Sequence, residues 1–157
     1  MIIIGYPGIG KSSYARLKGG RRTIDLESSC FIKDENWAAS YCNVAIDLSK
    51  QGFNVFVSSH DAVRKHLLIS GYDKLFAVYP SQDIKKQWIL RLESRYKRTG
   101  LEKDHRSLER AKAYYDVDIA ALKDDALKIR GWYEIRTPDY ELGDALEQFY
   151  DICEILI

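Results

Sequence analysis

The segment Gly5-Tyr6-Pro7-Gly8-Ile9-Gly10-Lys11-Ser12 constrains this chain more than any other stretch, because it suits one arrangement: a strand turning through glycines into a helix. It fills the pattern G-x-x-x-x-G-K-[S/T] at every fixed position. Met1-Ile2-Ile3-Ile4 before it is apolar and largely β-branched, as a buried strand requires. Ser12-Ser13-Tyr14-Ala15-Arg16-Leu17 after it opens a helix. In such a turn, glycines let successive amide N–H groups face inward around an anion without hindrance from Cβ, and the helix adds its N-terminal partial charge. The stretch therefore predicts a phosphate site. Gly5, Gly8, Ile9, Gly10, Lys11, Ser12 and Ser13 would surround a nucleoside triphosphate, ATP or another. Lys11 would reach the outer phosphates, and the Ser12 hydroxyl would take one coordination position of Mg²⁺. An accidental glycine-rich turn is the plain alternative, and the flanking strand and helix argue against it.

Beyond the loop, strand and helix signals alternate. Thr23–Leu26 reads as a second short strand, and a helix from Glu35 to Lys50 carries the stripe Trp37, Tyr41, Val44, Leu48. Phe53–Ser58 is a third strand, Asp61 a candidate cap for a helix to Ser70, and Lys74–Tyr79 a fourth strand stopped by Pro80. Helices from about Gln82 to Lys97 and Arg106 to Ile129 meet at the Thr99-Gly100 turn; Trp132–Arg136 is a fifth strand and Leu142–Ile155 a last helix. This order predicts a parallel sheet covered on both faces, with any ligand beyond the carboxyl ends of the strands.

At 157 residues the chain has the length of one domain, 1–157, with 46% hydrophobic and 30% charged residues. The net charge of +1 gives no global attraction to polyanions or membranes. Cys30, Cys42 and Cys153 form no C-x-x-C pair, so neither a disulfide framework nor zinc is expected. With no membrane-length apolar run and no basic stretch before Met1-Ile2-Ile3-Ile4, the expectation is a cytoplasmic monomer.

The strand ends supply the other candidates. Asp25, with Glu27 two residues on, could take a proton from an attacking hydroxyl or help place the metal; a solvated carboxylate or helix cap is the alternative. After the third strand come Ser58, Ser59 and His60, with Asp61 the first acid. His60 is a substrate-binding candidate or a hydrogen-bonded structural residue, and Arg64 suits an anionic group. Arg91, Arg95 and Arg98, spaced 4 and 3, edge the apolar arc Ile84, Trp88, Leu92, Tyr96 of their helix. Guanidinium groups match phosphate oxygens and offset charge on a transferred phosphoryl, so Arg91 and Arg95 are catalytic candidates and Arg98 a substrate contact. Arg106 and Arg110 fall opposite the stripe Leu108, Ala111, Tyr115, Ile119, Leu122, Ala126, Ile129 and read as solvated.

Together these residues resemble the adenylate-kinase-like branch of P-loop kinases, which includes nucleoside monophosphate kinases, shikimate- and gluconate-type kinases and the kinase domain of 5′-polynucleotide kinases. The carriers are the G-x-P-G-x-G-K-S form of residues 5–12 with Pro7, Arg64 beyond the third strand, and the R-x-x-x-R pair Arg91 and Arg95. The resemblance implies the three-layer P-loop NTPase fold, a five-stranded parallel sheet of order 2-3-1-4-5 and a small helical lid near 95–110. His60 departs from it, standing where that group commonly has an acid. The absence of lid cysteines departs from its zinc-stabilised members.

The expected activity is Mg²⁺-dependent phosphoryl transfer from ATP to a nucleotide or nucleoside. Lys11, Asp25, Arg91 and Arg95 would be catalytic, and Asp25, His60, Arg64 and Arg98 would contact the acceptor. Arg64 points to an anionic acceptor and Asp25 to a hydroxyl, which keeps a 5′-hydroxyl oligonucleotide or small metabolite open. A nucleotide-binding switch or accessory NTPase without a dedicated acceptor is the reading from another class.

Overall fold

The computed structural model describes residues 1–154 and places five parallel strands in one sheet of order β2-β3-β1-β4-β5. The strands are β1 (Ile2–Gly5), β2 (Thr23–Asp25), β3 (Asn54–Ser58), β4 (Leu75–Pro80) and β5 (Gly131–Ile135). Six helices connect or follow them: α1 (Lys11–Leu17), α2 (Trp37–Lys50), α3 (Asp61–Ile69), α4 (Lys85–Thr99), α5 (Glu102–Ala126) and α6 (Leu142–Glu154). The sheet order is the expected one. Ile155, the expected end of the last helix, lies outside the described residues.

Strands β1 and β4 are buried along their whole length, which is why they read as unbroken apolar runs rather than alternating ones. Ile3 pairs in register with Phe56 on one side and Phe76 on the other, so the three share a face. There Tyr14 of α1 meets Phe56 edge-on, and Phe149 of α6 stacks on Phe76 at 4.5 Å between centroids. Val55, Val57 and Ala77 are equally buried, so the opposite face is covered as well. Pro80 ends β4 as a strand residue, in register with Ile135, and the ladder continues through the Ser81 amide to the Ile135 carbonyl.

Three expectations need correction. The α2 stripe is rotated: Tyr41, Cys42, Ala45 and Ser49 are buried while Val44 is 39% exposed. Small residues at 42, 45 and 49 let this helix pack closely, and that advantage outweighs the hydrophobicity of Val44. Helix α5 starts at Glu102, four residues before the expected Arg106, and only Gly100 and Leu101 separate it from α4. Residues 95–110 are thus the tip of a tight α4–α5 hairpin. Finally, His60 rather than Asp61 caps α3, its Nδ1 accepting from the Ala62 amide at 3.2 Å. None of the helices among the described residues is long and apolar enough to cross a membrane.

Candidate functional site

The glycine loop between β1 and α1 is held by three side chains that each take one of its carbonyls. Lys11 Nζ donates to Gly5 O at 2.9 Å, Trp88 Nε1 to Pro7 O at 2.9 Å, and Arg91 Nε to Gly8 O at 2.8 Å. Gly8 and Gly10 have φ of 91° and 100°, the left-handed region that other residues adopt at a cost. A Cβ on Gly8 would also press on Leu92 and Trp88, whereas nothing lies within 4 Å of one on Gly10. With the carbonyls tied back, the amide N–H groups of Gly8, Gly10, Lys11, Ser12 and Ser13 have no acceptor among the described residues. Five such donors close together, with open space at Gly10, are an arrangement that can take an anion.

Charge is arranged around this ring. Burial pushes the Lys11 ammonium down to about 8, with Asp25 and Glu27 opposing the shift and Arg95 and Lys103 adding to it. Ser12 Oγ donates to Asp25 Oδ2 at 2.5 Å, joining the loop to the end of β2. Tyr41 ties that strand end to β3, donating to Leu26 O at 2.6 Å and accepting from the Ser58 amide at 3.0 Å. The Ser12 and Asp25 oxygens are hard, adjacent donors of the kind Mg²⁺ takes alongside phosphate oxygens.

Of the other expected site residues, Arg91 and Arg95 lie with the loop. Arg91 also covers the Trp88 ring at 5.1 Å, and Arg95 Nη2 approaches Asp104 Oδ1 at 2.7 Å. That contact is out of hydrogen-bond alignment, so the buried oxygen lacks an aligned donor. Arg98 is exposed and has no ion-pair partner among the described residues. His60 stands edge-on to Trp37 at 5.3 Å, and Lys33 Nζ lies 3.4 Å above the same indole. Partial burial and then the Arg110 and Lys33 cations hold His60 below the usual histidine range, in keeping with a neutral ring that accepts at Nδ1.

Arg64 is placed differently. Its side chain is 6% exposed, and Nε donates to Asp125 at 2.8 Å, Nη2 to Asp61 at 3.3 Å and Nη1 to the Ser59 carbonyl. Its guanidinium is thus engaged on three sides within the fold.

Several contributors had weak sequence signals. Trp88 occupies a core stripe position, yet an indole N–H buried there needs an acceptor, and the loop provides it. Lys103, on the first turn of α5, reaches Glu27 Oε1 at 2.7 Å across 76 residues of chain. The acids Glu102 and Asp104 after the Thr99-Gly100 turn were the sign that the helix begins there. No protein-family model matches the chain, and no curated protein matches it.

Proposed function

We propose that this chain is a P-loop phosphotransferase that moves the terminal phosphoryl group of ATP, with Mg²⁺, to a nucleoside or nucleotide acceptor. The observation that carries this reading is the ring of five free amide donors closed by Lys11. Such a ring matches a polyphosphate and little else, since a single carboxylate would leave most of the donors unmet.

In this mechanism Lys11 leaves the Gly5 carbonyl for the outer phosphates, whose negative charge offsets the burial that disfavours its ammonium. Mg²⁺, held at Ser12 and the phosphates, would supply charge neutralisation of the transferred group. Asp25 orients the acceptor hydroxyl and takes its proton as that oxygen attacks phosphorus; the bridging P–O bond breaks and ADP departs. Arg91 bonds the Gly8 carbonyl and Arg95 lies within electrostatic range of Lys11, where guanidinium groups would stabilise charge spread across the equatorial oxygens.

The burial of Arg64 favours a hydroxyl acceptor within this class. A phosphate acceptor needs a free cation at the acceptor side, and Arg64 is already paired with Asp125 and Asp61. A nucleoside or a 5′-hydroxyl end needs a base instead, and Asp25 stands at the loop.

The test is transfer of labelled phosphate from ATP across nucleosides, nucleotides and 5′-hydroxyl oligonucleotides, with Asp25→Asn beside the native chain. The expected result is transfer to a hydroxyl acceptor and a loss of about 10²- to 10⁴-fold in rate for Asp25→Asn. Tight ATP binding with no transfer to any acceptor would instead favour a nucleotide-dependent switch.

A further inference from the structure

We propose that Lys103 is a phosphate-contacting residue, and that Glu27 is the counter-charge it exchanges for the terminal phosphate of a bound nucleotide. This rests on the reading of the glycine loop as a triphosphate site. Three observations point to it.

First, the tip of the α4–α5 hairpin is built to hold Lys103 at a fixed height. Thr99 Oγ1 donates to Asp104 Oδ2 at 2.5 Å, and Arg95 faces the other oxygen of the same carboxylate, which is 2% exposed. Asp104 follows Lys103 directly, so this buried node locks the first turn of α5 onto α4. Second, Lys103 reaches across to Glu27, two residues beyond the Asp25 that holds Ser12. Asp25, Glu27, Arg95 and Lys103 each act electrostatically on the Lys11 ammonium, so Lys103 belongs to the charges gathered around the loop lysine. Third, the pair remains accessible, with side chains 39% and 37% exposed.

The alternative is a brace between hairpin and sheet edge. An ion pair this exposed contributes little to holding two elements together. A terminal phosphate carries between one and two charges and three acceptor oxygens, so it outcompetes one carboxylate for the ammonium. Glu27, left alone beside the incoming phosphates, repels them. The two partners therefore have opposite effects on nucleotide binding, whereas the two halves of a brace have the same effect.

The experiment is calorimetric titration of the full chain with Mg·ATP and Mg·ADP, using the native protein, Lys103→Met, Lys103→Arg and Glu27→Gln, with thermal melts confirming folding. The expected result is that Lys103→Met weakens Mg·ATP about tenfold and Mg·ADP less than about twofold, consistent with one charge-assisted contact to the terminal phosphate. Lys103→Arg keeps most of the affinity, and Glu27→Gln tightens Mg·ATP a few-fold. Equal shifts in the same direction for Lys103→Met and Glu27→Gln, or an unchanged ATP-to-ADP ratio in Lys103→Met, would overturn the exchange while leaving the triphosphate reading in place. Failure of the native chain to bind either nucleotide would overturn both.

Discussion

Arg64 and Arg91 are the same residue type, one about a turn into α3 and the other nearly two turns into α4, and the structure uses them in opposite ways. Arg64 is buried and has Asp125, Asp61 and the Ser59 carbonyl around its guanidinium. Arg91 is exposed, gives one N–H to the Gly8 carbonyl, lies on the Trp88 ring and has no carboxylate partner among the described residues. What separates them is the delivery of a carboxylate by a distant element. Helix α5 brings Asp125 to Arg64 from 61 residues away and brings nothing comparable to Arg91. An arginine with its donors satisfied holds the fold together; one with donors to spare can meet a ligand.

The largest effect expected from breaking this contrast is on Arg64. Arg64→Leu leaves Asp125 with only the exposed Lys128 as partner and should lower unfolding stability by about 3 kcal/mol, read from urea midpoints. The damage falls on folding, and Mg·ATP affinity of the folded molecules stays close to native. Arg91→Ala should reverse the pattern. Its stability changes by about 1 kcal/mol, the loss of one hydrogen bond to the Gly8 carbonyl. Phosphoryl transfer should fall about 100-fold, equivalent to about 2.7 kcal/mol of transition-state stabilisation. If Arg91→Ala instead unfolds the chain while leaving transfer intact, the contrast between the two arginines is wrong.

The same contrast shows what a single sequence displays and what it conceals. The alternation of strands and helices followed from local patterns, apolar runs at Ile2–Ile4 and Val55–Val57 and glycine turns between elements, whereas the order 2-3-1-4-5 came only from the resemblance carried by residues 5–12, Arg64, Arg91 and Arg95. The loop, Lys11, Ser12 and the arginine face of α4 were legible because the motif and the helical spacing are both local. Contacts that depend on chain returning from far away were not. Asp125 meeting Arg64, Lys103 meeting Glu27 and Arg95 meeting Asp104 all require the length and start of α5, which the sequence pattern placed four residues late. His60, which the sequence left open between a substrate contact and a hydrogen-bonded structural residue, caps α3 with its ring, a role that a histidine fills less often than serine or aspartate.

The smallest of these effects is also the one whose sign is most specific. Burial holds Lys11 at about 8, below the ordinary lysine value of 10.5, so at neutral pH the fold carries an ammonium it would rather lose. The unfolded chain then binds more protons than the folded one between about pH 8 and 10.5, and stability contributed by this residue rises with pH through that window. Lys11→Met should be the more stable protein at pH 7 and should lack that rise. Nucleotide binding runs the other way. Phosphates are fully ionised above about pH 7.5 and need the ammonium, so affinity should fall above about pH 8, at most about tenfold per unit. Below that point, affinity should be flat as far as Lys11 is concerned. Calorimetry of Mg·ATP binding near pH 8.5, in buffers of different ionisation enthalpy, should show proton uptake by the native chain. No uptake, or affinity that climbs with pH while stability falls, would place the Lys11 ammonium outside the phosphate site and leave Arg91 and Arg95 facing a loop with a different purpose.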